Sequence, residues 1–127
     1  MGLWGDRLLP RLVDWALRTP EVSARRALTL AGLRGQVLEI GFGSGLNLRH
    51  YPAGVERVLA VEPSDQAWRL ARPRMAAGTP PVERVGLDGA RLPLPDRSVD
   101  AVVSTFTLCT IPDVAAALGE VRRVLRP

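Results

Sequence analysis

Three glycines at alternate positions, Gly41, Gly43 and Gly45, follow the acid Glu39 and form the segment of this chain best suited to holding a ligand. Glycine tolerates the sharp, left-handed backbone that lets a chain pass directly beneath a bound molecule. A dinucleotide loop would place its third glycine at position 46, where Leu46 stands, and no Lys-Ser or Lys-Thr pair follows as a triphosphate loop requires. What remains is a turn for another nucleotide-like ligand, or a tight turn with none. Glu62 stands 21 positions after Gly41. A carboxylate there can accept hydrogen bonds from both hydroxyls of a ribose. Asp88-Gly89-Ala90 offers an acid for an exocyclic amine and backbone N–H groups for ring nitrogens, which together describe an adenine; alone, Asp-Gly is an ordinary turn pair. Ser104-Thr105-Phe106-Thr107-Leu108 brings small polar groups and one aromatic, suited to lining the mouth of a site, although Phe106 reads equally well as core.

These four places need elements that converge on one edge. Apolar residues over 6–18 recur at helical spacing, with Trp4 and Trp15 adding bulk. Thr19-Pro20-Glu21 opens a second helix that Gly32 should stop near Ala31. The period then shortens. Residues 36–40, 57–62, 82–87 and 99–104 read as four strands. A short helix is expected over 46–51, stopped by Pro52, and another over 64–77. A last helix is capped at Pro112-Asp113, with Val114, Leu118, Val121 and Leu125 as its core face. Strands alternating with helices predict an α/β, doubly wound parallel sheet, in which ligands bind beyond the carboxyl ends of the strands. All four polar segments fall at such ends.

Composition agrees with one soluble domain: 127 residues, 46% hydrophobic and 24% charged, with no apolar run near the ~20 residues that cross a bilayer. Stable membrane insertion is not expected. One cysteine and no secretory leader point to a cytoplasmic protein. The net charge of +4 comes from 17 basic residues, all arginine and spread along the chain without aromatic interleaving, so no nucleic-acid partner is expected. Cys109 reads as a buried structural cysteine and His50 as a surface or packing residue, and no metal site is expected.

Taken jointly, the pattern resembles the class I S-adenosylmethionine-dependent methyltransferases. Val37-Leu38-Glu39-Ile40-Gly41-Phe42-Gly43-Ser44-Gly45 is similar to that family's first motif and Val61-Glu62-Pro63-Ser64 to its second. Asp88-Gly89-Ala90, with the run from Leu92 to Asp100, resembles the adenine segment, and Glu120 to Pro127 the helix before a Pro-Gly-Gly turn. The resemblance covers residues 36–127. It implies S-adenosylmethionine as cofactor, with Gly41, Gly43 and Gly45 under the methionine part and Glu39 ordering the loop. It further implies Glu62 at the ribose hydroxyls with Pro63 and Ser64 beside it, Asp88 and Gly89 at the adenine amine, Ala90 at the ring, and Thr105 near the amino-acid end. The segment Gly45-Leu46-Asn47-Leu48-Arg49-His50-Tyr51-Pro52, which adds Asn47, and Thr107-Leu108-Cys109-Thr110-Ile111 resemble the branch of methyltransferase-like thiol S-methyltransferases. That implies a small-molecule methyl acceptor, a thiol among quinone, lipid and other candidates, and direct displacement with no catalytic residue assigned.

The family sheet has seven strands, and Pro127 falls where the fifth would begin. The expected sheet is therefore strands 3-2-1-4, with residues 1–34 as lid or packing helices, residues 35–127 as the cofactor-binding domain, and its C-terminal part absent. Strand four should be unpaired on its outer edge, a liability that points to a chain cut from a longer enzyme, the favoured reading, to a homodimer there, or to a degenerate relative. A binding module without turnover and a nicotinamide oxidoreductase are the competing readings, the latter opposed by Leu46.

Overall fold

The computed structural model describes residues 8–76 and 79–127. Helices α1 (Leu9–Ala16) and α2 (Pro20–Leu30) precede β1 (Gly35–Ile40), β2 (Val55–Val61), α3 (Asp65–Met75), β3 (Val82–Gly86), β4 (Ala101–Ser104) and α4 (Val114–Val124). The four strands form one sheet in the order β3-β2-β1-β4, parallel throughout. That is the expected Rossmann-like, doubly wound architecture.

Helices cover both faces of such a sheet, so its central strands are buried on both sides and read as unbroken apolar runs. Val37, Val58, Ala60 and Val103 point to one face, where they pack with Leu30 of α2 and Ala71 of α3. Leu38, Ile40, Leu59 and Val61 point to the other, against Val124 of α4, Leu92 and Val99. The helices begin where local chemistry starts them. Thr19, Ser64 and Asp113 each accept a hydrogen bond from the backbone N–H three residues on, supplying a partner that a first turn lacks.

Four expectations change. The segment 46–51 is a single 3-10 turn, Leu48–His50, because Gly45 at φ 80° delays its start and Pro52 holds Tyr51 extended. On α4 the buried residues are Ala117 and Val124, with the expected Val121 and Leu125 half-buried against the core beside them, whereas Leu118 is 52% exposed and Val114 also faces out. On α1 the buried residue is Asp14, while Leu12 and Trp15 are exposed; Trp4 and the first two positions of the expected helix, 6 and 7, lie outside the described residues. Strand four starts later than expected, at Ala101, and its outer edge is unpaired among the described residues, the only pairing on that side falling just before it. The Val99 N–H donates to Val124, Arg126 donates to Val99, and Val99 and Leu125 form a parallel bridge.

Candidate functional site

β1 ends at Ile40 and turns through Gly41, Gly43 and Gly45, with φ of 75°, 60° and 80°. The Gly41 and Phe42 N–H groups both donate to the Val61 carbonyl, at 2.9 and 3.1 Å, which fixes the turn to the end of β2. The glycines answer different demands. A Cβ on Gly41 would overlap the Thr107 side chain that follows β4, whereas one on Gly43 would meet nothing nearer than 3.9 Å. Gly43 therefore presents bare backbone to open space.

Glu62, just past β2 and 7% exposed, closes this arrangement. Its Oε2 accepts from the Gly43 N–H at 2.7 Å and its Oε1 from the Ser64 N–H at 3.0 Å. Above the turn lies a cavity of about 300 Å³. Gly41, Gly43 and Ser44 line it from the turn, Glu62, Pro63 and Ser64 from β2, Thr105 to Thr107 from β4, and Leu9, Val13 and Leu17 from the α1 side.

Beneath the turn, Glu39 is buried and accepts from Asn47 Nδ2 at 2.6 Å and from the Tyr51 hydroxyl at 2.7 Å. Burial pushes its carboxyl up to about 7, against the pull of those two hydrogen bonds and of the Arg26 charge. Asn47 also donates to Thr105 Oγ1 at 3.1 Å, so three residues singled out in the sequence share one network.

At its centre sits a residue the sequence reasoning passed over. Arg26 of α2 is 6% exposed, donates to Asn47 Oδ1 at 2.7 Å and to Thr105 Oγ1 at 3.2 Å, and lies 5.3 Å over the Phe106 ring. Desolvation lowers its pKa and the Glu39 charge opposes that shift. The signal was present: Val22, Arg26 and Leu30 share one helical face, and an arginine within an inward stripe needs a buried partner. Asp14 of α1 is a second such residue. Its carboxylate accepts from Ser44 Oγ and, at 2.7 Å, from Arg74 Nη1, which also donates to the Ser44 carbonyl.

Other predicted residues sit apart. Gly45, Asn47 and Glu39 lie under or behind the turn, outside the cavity lining. Asp88 is exposed and accepts from the Ala90 N–H at 2.9 Å. Gly89 is packed on Ile40; none of the residues 88–90 lines the cavity. Cys109 is exposed rather than buried, because the turn Leu108–Thr110 runs along the surface. His50 is half-buried, 3.1 Å from Ser23 Oγ.

A family model described as a methyltransferase domain matches residues 38–127, from the middle of β1 to the last residue. The chain belongs to this methyltransferase family. It is 39% identical over 103 residues to the human thiol S-methyltransferase TMT1B, covering 77% of this chain and 42% of that protein. It is 31% identical over 112 residues to a phosphatidylethanolamine N-methyltransferase of Cereibacter sphaeroides, covering 86% and 55%. The chain thus spans about half the length of these curated relatives. A solved S-adenosylmethionine-dependent methyltransferase from Aquifex aeolicus superposes with a TM-score of 0.75 at 24% identity, over 93% of this chain and 68% of that one, and supports the fold. The class I methyltransferase kinship anticipated from the glycine turn and Glu62 is therefore established. Among the described residues no helix is long and apolar enough to cross a membrane.

Proposed function

We propose that this methyltransferase-family chain holds S-adenosylmethionine in the cavity above the glycine turn and directs its methyl group to a small-molecule acceptor, a thiol. The observation that carries the reading is the meeting of bare backbone at Gly43 with the Glu62 carboxylate on one cavity wall. Each Glu62 oxygen accepts one backbone N–H and keeps a second acceptor direction, which suits the two hydroxyls of a ribose. Pro63 and Ser64 continue that wall. Gly41, Gly43 and Gly45 would run beneath the methionine part, and Thr105 would lie near its amino-acid end. Glu39 and Asn47 act from below, holding the turn and the end of β4 in register. Asp88, Gly89 and Ala90 lie outside this cavity lining, at the end of β3, and would meet the adenine where it extends beyond the cavity.

When bound, the cofactor supplies an electrophilic methyl carbon on a sulfonium. The protein's share is to fix the geometry of attack and exclude water. α1 serves as the lid: Leu9, Val13 and Leu17 line the cavity, and Asp14 fastens α1 to Ser44. No side chain is assigned to remove a proton, and the thiol proton leaves to solvent. The thiol is favoured by the identity to TMT1B, which exceeds that to the lipid N-methyltransferase.

Calorimetric titration separates this reading from an oxidoreductase. S-adenosylhomocysteine should bind and NAD should not; binding of NAD alone would sink the proposal. Transfer of label from S-adenosylmethionine to a panel of thiols, amines and quinols then tests the acceptor class.

A further inference from the structure

Behind the glycine turn lies a second and larger cavity, of about 590 Å³, that the reading above does not use. α2 contributes Ser23 and Arg26, the Leu48–His50 turn contributes Arg49 and His50, α3 contributes Arg74, and Arg18 stands at its edge. Four guanidinium groups therefore face one space, and among the described residues no carboxylate lines it.

The nearby acids do not cancel this charge. Asp14 is a single carboxylate contacted by both Arg74, at 2.7 Å, and Arg18, at 3.4 Å. Glu39 lies behind the wall, both oxygens engaged by Asn47 and Tyr51. Arg26 donates through Nη1 only to neutral groups, and its buried Nε–H has no partner among the described residues. Arg49 is exposed on the short turn and makes no ion pair with any described residue. Its neighbour His50 pairs with Ser23 at 3.1 Å, placing a neutral hydrogen-bonding pair beside the cations.

We propose that this cavity binds a phosphate-bearing small molecule, held by Arg18, Arg49 and Arg74 with Ser23 and His50 completing its hydrogen bonds. The guanidinium fork matches the oxygens of a phosphate, and the volume lies in the range of small-ligand sites. The site does not depend on methyl transfer. Leu17, Arg26 and Leu46 line both cavities, and Arg74, on the side of this one, bonds Asp14 and the carbonyl of Ser44, which lines the other.

Pyrophosphate is the probe, titrated calorimetrically at constant ionic strength with and without S-adenosylhomocysteine, and with citrate as the carboxylate comparison. Pyrophosphate should bind in both conditions and more tightly than citrate. The double variant Arg18→Ala/Arg49→Ala should weaken it about tenfold or more, with an unchanged melting temperature. The control pair Arg91→Ala/Arg122→Ala, two exposed arginines outside the cavity lining, should leave it unchanged. No pyrophosphate binding, equal binding of citrate, an equal loss in the control pair, or displacement by S-adenosylhomocysteine would each overturn the assignment.

Discussion

Glu62 joins the two halves of the cofactor wall, since one carboxylate links the turn at Gly43 to the start of α3 at Ser64. Replacing Glu62 with alanine should weaken S-adenosylhomocysteine binding by about 1.5–3 kcal/mol. Calorimetry reads this directly, and unchanged affinity removes the ribose role. The two glycines separate sterics from backbone strain. Gly41→Ala meets Thr107 as well as a positive φ, and should cost about 2 kcal/mol or more in chemical denaturation. Gly43→Ala meets only the positive φ, and about 1 kcal/mol is expected. Equal losses would show that Thr107 yields. Glu39 gives the stability a pH dependence. Its carboxyl moves from an ordinary 4.5 to about 7 on folding, so between those values the folded state keeps a proton that the unfolded chain has lost. The contribution is full below 4.5 and disappears as pH rises through 7, a fall on the order of 3 kcal/mol. Glu39→Gln should flatten that fall in urea melts at pH 5 and pH 8, and an unaltered slope would contradict it.

Among the elements, α1 has the weakest claim to the core and the most specific tether. Leu12 and Trp15 are exposed, while Asp14 alone is buried and bonded to Ser44 and Arg74. Asp14→Ala should raise hydrogen exchange over residues 9–16 while leaving β1 and β2 protected; protection unchanged in α1 would mean that its apolar contacts suffice. This is also the scale at which the sequence was partly readable. The strands, the glycine turn and the caps at Thr19 and Asp113 follow from local pattern, because each depends on residues within three or four positions, whereas the strand order, set by pairings as distant as Val37 with Ala101, came from the family resemblance. Arg26 and Asp14 were missed for the opposite reason. Arg26 finds its partners 21 and 79 residues away, and Asp14 finds Ser44 30 residues away, so helical periodicity marks them only as misplaced charges. The face of α4 misled because valine and leucine occupy two stripes of that helix, and only the sheet decides which is covered. Gly45 and Pro52 bounded the turn after β1 correctly, but left room for one 3-10 turn and not a helix.

Over the whole molecule, the sheet is a scaffold with apolar cores on both faces and its polar groups gathered at the strand ends. A ligand bound only by the folded state adds to its stability by mass action. S-adenosylhomocysteine at about 100 times its dissociation constant should add about 2.7 kcal/mol, seen as a raised melting temperature that NAD does not produce. Absence of that shift, with binding still measured by calorimetry, would mean that the unfolded chain binds as well. Among the described residues two other than glycine, Arg97 and Phe106, adopt a positive φ, and only the second stands at the cavity. Phe106, 55% exposed beside Arg26 at the cavity, adopts φ 58°, a region that costs a residue with a Cβ about 1–2 kcal/mol. Glycine there would relieve the backbone, so selection for stability alone would have discarded the aromatic ring. Phe106→Gly is therefore expected to yield a hardier protein with a blunter choice of acceptor, and position 106 is where a laboratory evolution experiment should see robustness and selectivity traded against each other.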